Sequence, residues 1–439
     1  MTLHRSRFTP LMLITALCLF PAVTQAAESG PPDWLPALDT VWLAVAAALV
    51  FFMQAGFALL ESGMSRAKNA VNVVMKNYVD VCLGSLAFWL VGYGLMFGFN
   101  PTGWFGQSHF ALIGAENGDY MALLFQTMFA ATAVTIASGA MAERTRYQAY
   151  LLGAVLITAI IYPVYGSWAW GSAHGGEGWL ASLGFIDFAG STVVHSIGGW
   201  VALAGVIVLG PRLGRFGPNG ERRPIHGHNL TQVALGGFIL WVGWFGFNGG
   251  STGGADVSIG LINLNTHLSA AAGAAGALIL LAILRQPVLL TTTVNASIGG
   301  LVGITAGAAT MDPHFAVVTG LVSGMIVVAG TRLLESLGLD DVVGAVSAHG
   351  LAGAWGTLAA GLFLAGDLFN PMQVAVQMIG ILAGFLWAFP MALLMYFLID
   401  RTVGLRASTL DEQRGLDFSE HYEIGYPEFQ ADVLHKGKG

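Results

Sequence analysis

Apolar segments long enough to cross a lipid bilayer follow one another along nearly the whole chain of 439 residues. A membrane-spanning helix needs about 20 predominantly apolar residues, because every backbone polar group inside the hydrocarbon must be paired within the helix. The chain is 55% hydrophobic and only 10% charged, whereas a soluble domain averages roughly 25% charged residues. The sequence therefore predicts an all-α polytopic membrane protein embedded in the lipid bilayer, with no nucleic acid among its partners.

Eleven segments have this character. They are residues 38–62, 78–99, 120–142, 148–170, 190–210, 229–248, 258–284, 289–309, 314–334, 346–365 and 372–400.

The basic loop residues test the count, because they fall only in alternate connections and in the tail. They are Arg66, Lys68, Lys76, Arg144, Arg146, Arg212, Arg215, Arg222, Arg223, Arg285, Arg332 and those from Arg401 onward. The positive-inside rule then predicts an outside N-terminus and a cytoplasmic C-terminus, which requires an odd number of spans.

The N-terminus has the pattern of a secretory signal peptide. A basic start precedes an apolar run over residues 11–23, and small residues follow at the predicted cleavage point near Ala26. The alternative is an uncleaved first span. We predict a signal peptide at 1–26, a membrane domain at 27–400 and a cytoplasmic regulatory tail at 401–439.

A repeated pattern surrounds two lone histidines inside apolar segments. In both copies an aspartate stands eight residues before the histidine and a glycine follows four residues after it. The sets are Asp187, His195 and Gly199, and Asp341, His349 and Gly353. The histidines belong to the fifth and tenth predicted spans, so two five-helix units must run in opposite directions across the membrane. The last span lies outside this inverted repeat and is long enough to tilt.

Histidines inside membrane spans are energetically costly and commonly functional. A neutral imidazole donates one hydrogen bond and accepts another, so a pair of them could line a path for a small polar molecule and share a proton. A structural hydrogen bond between helices is the alternative. Metal binding would need a third or fourth ligand, and no cluster with ligand spacing is visible in the sequence. We therefore predict neither a metal site nor a cofactor.

The chain also resembles the ammonium transporter family (Amt/Mep/Rh), in its bacterial Amt form, over essentially the whole mature chain. The resemblance rests on several motifs. They are QAGFALLESGMSRAKNAVNVVMKN at 54–77, ASGAMAERTRY at 137–147, DFAGSTVVHSIGG at 187–199, GWFGFNGGS at 243–251, DDVVGAVSAHGLAG at 340–353 and TVGLRASTLDEQRGLD at 402–417.

The resemblance implies a pore with functional residues at matching positions. They are His195 and His349 as the twin-histidine pair, Phe129 and Phe247 as the phenylalanine gate, Phe125, Trp170 and Ser251 as the ammonium recruitment site, and Asp187 in a structural or deprotonating role. Aromatic faces attract a cation by about 0.5–2 kcal/mol. A dry passage then rejects ions that cannot give up a proton, because a bare charge is very costly in apolar surroundings.

From the resemblance we expect an ammonium transporter of the bacterial inner membrane, not an enzyme. The expected assembly is a homotrimer with one pore per subunit, and a PII-type signalling protein is a possible partner for the tail at the cytoplasmic face. The first alternative is an ammonium sensor that signals through its C-terminus. A second is an Rh-type channel for neutral gases, against which the retained Trp170 and Ser251 argue.

The second histidine segment departs from the family pattern. Family members commonly carry a further acidic residue where this chain has Gly344, and Ser347 stands where glycine is usual. We expect an intact pore with altered packing at the cytoplasmic side of the tenth span.

Two glutamates near predicted helix ends are each close to an arginine in the sequence. We predict that Glu61 with Arg66, and Glu143 with Arg144, form structural ion pairs without a chemical role.

Overall fold

A computed structural model describes residues 35–429. The predicted signal peptide at 1–26 and the end of the tail at 430–439 lie outside the described residues. Within them the chain is helical, and extended pairing is limited to isolated bridges. The long helices are α1 (Pro36–Met64), α2 (Ala67–Phe97), α3 (Asn117–Ala140), α4 (Tyr147–Trp170), α5 (Ser191–Leu209), α6 (Leu230–Gly250), α7 (Ile259–Ile283), α8 (Leu290–Ile304), α9 (Pro313–Ser336), α10 (Val346–Leu351 continuing as Ala352–Leu362) and α11 (Pro371–Thr402).

Nine helices of the described residues are long and apolar enough to cross a membrane. The other two, α8 and α10, are shorter than the roughly 20 residues that a full crossing takes. The polytopic all-α class is therefore confirmed, while the count of eleven crossings stays a prediction. We call the end of the bundle that carries Arg66, Arg144, Arg212 and Arg332 the basic face, and the other end the opposite face.

The start of α2 was predicted wrongly. The helix begins at Ala67, eleven residues before the predicted residue 78. Its first turns carry polar side chains that resemble a loop in the sequence but are buried against neighbouring helices. Lys76 is only 1% exposed, and its Nζ donates to the carbonyl of Thr145 at 3.2 Å. Lys76 is therefore a helix residue and does not count among the loop charges.

The two histidine helices begin in the same way. Both α5 and α10 open with a wide π-helical turn, and in each the aspartate of the repeat accepts backbone N–H groups of that first turn. The bonds run from Thr192 and Val193 to Asp187 at 3.0 and 2.8 Å, and from Gly344 and Val346 to Asp341 at 2.9 and 2.8 Å. A carboxylate at a helix N-terminus also faces the positive end of the helix dipole.

Glycines allow α5 and α10 to cross in direct backbone contact. A Cβ atom on Gly199 would lie 2.3 Å from the nitrogen of Gly350, and one on Gly353 would lie 2.3 Å from the carbonyl oxygen of Ser191. Such distances are far below van der Waals contact. The two helices therefore cross in close contact, which brings both histidines to the crossing point.

A buried ion-pair network joins four connections at the basic face. Arg212 donates from Nη1 to Glu143 at 2.6 Å and from Nε and Nη2 to Asp340 at 2.8 and 2.9 Å. Glu143 also pairs with Arg66. Burial alone would raise the pKa of Asp340, but hydrogen bonds and the charge of Arg212 outweigh burial and hold this pKa well below its usual range.

The predicted partners of the two glutamates were wrong. Glu143 pairs with Arg66 and Arg212, because the guanidinium of Arg144 turns inward and donates to backbone carbonyls. These are the carbonyls of Ala140, Ala142, Gly210 and Asp340. Glu61 forms no ion pair with Arg66 and lies inside the bundle, where Asn77 and Ser138 donate to it.

The tail packs onto the basic face as far as Tyr426, whose hydroxyl lies 2.9 Å from Nε2 of His228. Its short helices Thr409–Arg414 and Leu416–His421 meet the start of α2 and the connection after α5. Asp417 accepts the N–H of Asn72 at 2.8 Å, and Glu412 accepts the N–H of Leu213 at 2.7 Å. The tail is thus bonded to α2 and to the connection between α5 and α6.

The backbone conformation and the surroundings at position 344 both require glycine. Its φ is +77°, and a Cβ atom there would lie 2.8 Å from Nδ2 of Asn295, which donates to the carbonyl of Val343 at 2.7 Å. An acidic side chain at this position would meet the same obstacle. The side chain of Asn295 therefore leaves room only for glycine at position 344.

Replacing Gly344 with alanine should lower the thermal stability of the purified protein, by about 1–3 kcal/mol, because a left-handed backbone and a close contact are both unfavourable. Gly366→Ala is the matched control, since its φ is +82° and a Cβ there meets nothing within 4 Å. Equal melting temperatures for the two variants would show that the contact with Asn295 does not cause the loss of stability.

Candidate functional site

The two repeat histidines meet at the centre of the bundle. His195 is fully buried and His349 is 5% exposed. Their Nδ1 atoms lie 3.2 Å apart, and the ring centroids are 5.3 Å apart. One Nδ1 must donate and the other accept, so two neutral rings carry opposite tautomers. One Nε2 is then an acceptor and the other a donor, and the pair offers both functions to a small polar molecule.

Aromatic rings enclose this pair. Trp244 stacks on His195 with centroids 5.0 Å apart, and Phe57 lies 6.2 Å from His349. Nε2 of His195 is buried and takes no hydrogen bond from the described residues. The histidines are therefore polar groups in largely apolar surroundings, where a neutral molecule is tolerated far better than an ion.

Two phenylalanines lie between the histidine pair and the opposite face. Phe129 and Phe247 stack with centroids 4.0 Å apart and an interplanar angle of 25°, and neither is more than 1% exposed. Phe247 also lies 5.3 Å from His195. The stacked rings and the histidines thus form one continuous column.

The remaining predicted residues gather on the far side of the stacked rings. Phe125 lies 4.7 Å from Phe129, and Trp170 lies 6.4 Å from it, between ring centroids. Ser251 donates its hydroxyl to the carbonyl of Phe247 at 2.8 Å, which leaves the oxygen lone pairs as acceptors. Two aromatic rings and a hydroxyl acceptor suit a small cation that carries N–H donors.

Asp187 caps α5 beside this group. One carboxylate oxygen accepts the two amides of the first turn, and the other, Oδ1, is buried without a hydrogen-bond partner among the described residues. The carbonyl of Asp187 accepts Nε1 of Trp170 at 2.9 Å. Asp187 therefore fixes both the histidine helix and one aromatic ring.

Sequence reasoning missed several residues at this site. Trp244 and Phe57 were not singled out, although Trp244 belongs to the GWFGFN motif. Glu61 was assigned to an ion pair, but it lines a cavity of about 20 Å³ together with His349. An acidic residue inside an apolar span was the available signal, since such residues are rare and mostly functional.

A cluster of titratable side chains lies near the opposite face. Nε2 of His174 is 3.2 Å from Asp119, and the rings of His109 and His174 stack at 3.7 Å with an angle of 12°. Burial lowers the pKa of His174. Nearly parallel rings hold their lone pairs in parallel planes and do not direct them to one point, so we assign no metal site to the cluster.

Comparisons with known proteins agree with this architecture. Residues 41–426 match the profile of the Ammonium Transporter Family. The chain is 41% identical over 448 residues to ammonium transporter Amt2 of Archaeoglobus fulgidus, covering 95% of this chain and 94% of the relative. It is also similar to the solved structure named Sensor Amt Protein, with 39% identity, a TM-score of 0.84 and coverage of 88% and 98%. For Mep2 of Candida albicans the identity is 29%, the TM-score 0.79 and the coverage 91% and 92%. The chain therefore belongs to the ammonium transporter family and is a multi-pass membrane protein.

Proposed function

We propose that this protein conducts ammonium across a bacterial inner membrane by deprotonating it and passing ammonia along His195 and His349. The observation that carries the proposal is the imidazole pair, joined through Nδ1 atoms 3.2 Å apart inside an apolar sleeve. A purely structural pair of histidines would not need a closed aromatic gate above it and a cation-binding group beyond that gate.

Capture takes place at Phe125, Trp170 and Ser251. The aromatic faces attract ammonium by about 0.5–2 kcal/mol, and the Ser251 oxygen accepts one of its N–H donors. Asp187 holds Trp170 and the start of α5 in position, and its second oxygen is a candidate for assisting deprotonation.

Selectivity arises at Phe129 and Phe247. A charged ion cannot pass between stacked, dry rings without losing its hydration, which is very costly. Ammonium avoids this cost by leaving its proton behind, whereas potassium and sodium have none to leave. Ammonia then finds one donor and one acceptor on the imidazole pair, and the shared Nδ1 proton offers a route for the charge to follow.

The topology and partners form part of the same proposal. The basic face is cytoplasmic under the positive-inside rule, the N-terminus is outside after removal of the signal peptide, and eleven spans form two inverted five-helix repeats with α11 as the additional tilted helix. The homotrimer and a PII-type partner for the tail rest on the family resemblance alone.

A sensor is the second candidate. Its support is the similarity to the structure named Sensor Amt Protein, with a TM-score of 0.84, and a tail that is bonded to α2 and to the connection after α5. In a sensor, ammonium would bind at the same aromatic group and change the tail contacts of Asp417 and Glu412 without crossing the membrane.

Flux measurements on proteoliposomes test the proposal. Purified protein should give saturable uptake of ammonium, with no uptake of potassium or sodium above that of protein-free liposomes. Uptake of potassium at a comparable rate would refute selection by deprotonation, and the absence of ammonium uptake would leave the sensor.

A further inference from the structure

The carboxyl group of Glu61 is buried close to His349 and forms no ion pair with the described residues. Glu61 lies in α1, near the end at the basic face, and is 1% exposed. Among the described residues no arginine, lysine or histidine nitrogen lies within ion-pair distance of it. Burying an unpaired carboxylate is expensive, and within a membrane such a group usually marks a pathway for ions or protons.

Only one of its two oxygens is engaged by the protein. Oε2 accepts Nδ2 of Asn77 at 3.1 Å and the hydroxyl of Ser138 at 2.8 Å, whereas no donor of the described residues reaches Oε1. Gly139 makes room for the group, since a Cβ there would lie 2.8 Å from its Cδ. The carboxyl group is thus held in position by one oxygen and leaves the other available.

Glu61 and His349 line the same cavity. Its volume is about 20 Å³, and Asn295 and Val343 complete the wall toward the basic face. A cavity of at least about 10–15 Å³ can hold one water if polar partners are present. A single water could therefore bridge the imidazole and the carboxylate.

We propose that Glu61 is the proton acceptor at the inner end of the histidine pair. This assignment rests on the proposed function, because the proton that Glu61 accepts is the one that ammonium gives up. An imidazolium nitrogen of the pair loses a proton to the cavity water, the water passes a proton to Oε1, and the carboxylate becomes a neutral carboxylic acid. Release of that proton into cytoplasmic water restores the carboxylate, so one positive charge has moved for each proton handed over.

A second buried carboxylate in the same region provides a matched control. Asp80 in α2 is fully buried, but the hydroxyl of Tyr150 donates to its oxygens at 2.7 and 2.8 Å and Thr135 donates at 3.2 Å. Asp80 does not line the cavity. The geometry assigns it a structural role.

The test measures, in proteoliposomes, the electrical charge moved across the membrane for each ammonium taken up. E61Q keeps the shape of the side chain but cannot take a proton, so we expect the charge moved per ammonium taken up to fall about tenfold or more, within the range of proton-transfer effects. E61D should restore part of that ratio, and D80N should leave it within twofold of wild type. Ammonium uptake is measured on the same liposomes, and melting temperatures identify variants that do not fold.

Two results would overturn the assignment. They are an unchanged ratio in E61Q, which includes an equal loss of charge and uptake, and a fall in D80N as large as that in E61Q. If wild-type protein moves no ammonium at all, the proposed transport itself fails, so the two failures are distinguishable.

Discussion

His195→Ala and His349→Ala should each lower ammonium flux by about 100-fold or more, a loss typical of removing a group that transfers a proton. Each substitution removes half of the Nδ1 contact at 3.2 Å. The remaining imidazole then has no partner for its Nδ1, and the passage loses either its donor or its acceptor. Flux is measured as ammonium uptake into proteoliposomes at equal protein content.

His314→Ala serves as the control for this experiment, because His314 is an exposed histidine at the start of α9. Its flux should stay within twofold of wild type. Wild-type flux in either pore variant would contradict conduction along the pair. A melting temperature close to wild type is required, so that a loss of flux reports on the pore.

Arg212→Ala should destabilise the protein by about 3 kcal/mol, the low end of the cost of breaking a buried ion pair, because each carboxylate loses its main partner and keeps a second arginine. The substitution removes Arg212 from Asp340, which keeps Arg215 at 3.2 Å, and from Glu143, which keeps Arg66. Both carboxylates are at most 2% exposed, so water cannot compensate. Thermal unfolding of the detergent-solubilised protein measures the effect.

Arg222→Ala is the control, since Arg222 is 43% exposed and reaches Glu335 at 3.5 Å. An exposed pair is worth about 0–1 kcal/mol. If the two variants have the same melting temperature, the buried network does not stabilise the fold.

The same network predicts how stability depends on pH. The ion pairs with arginine hold the pKa of Glu143 and of Asp340 below 4.5 and 3.8, their ordinary values. A lowered pKa in the folded state gives stability that is fully present above the ordinary value and is lost as the pH falls through the lowered one. Arg212→Ala should therefore flatten the acid limb of a melting curve recorded against pH.

The sequence could predict the histidine crossing because its signals are local. Asp187 and His195 have the same spacing as Asp341 and His349. In the structure both aspartates accept backbone N–H groups at the start of their helices, and both helices begin with a π-helical turn. Glycines at the crossing could be read in the same way, since only a missing Cβ permits contact between the backbones of Gly199 and Gly350.

Other features depend on partners that are distant in sequence. Lys76 looked like a loop residue because nothing near it reveals the carbonyl of Thr145. Glu143 was paired with its neighbour Arg144, whereas the structure gives it Arg212, 69 residues away. Glu61 was assigned to the nearest arginine, although the bundle turns it toward His349. In each case the buried polar group takes the partner that the packing provides.

The most direct test of the central claim is an electrical recording on solid-supported membranes that carry the wild-type protein, combined with ammonium binding on the same preparation. We predict a current that rises with ammonium, saturates, and is absent when potassium replaces ammonium. Binding that saturates without any current would contradict conduction through the histidine pair and would leave a protein that only senses ammonium.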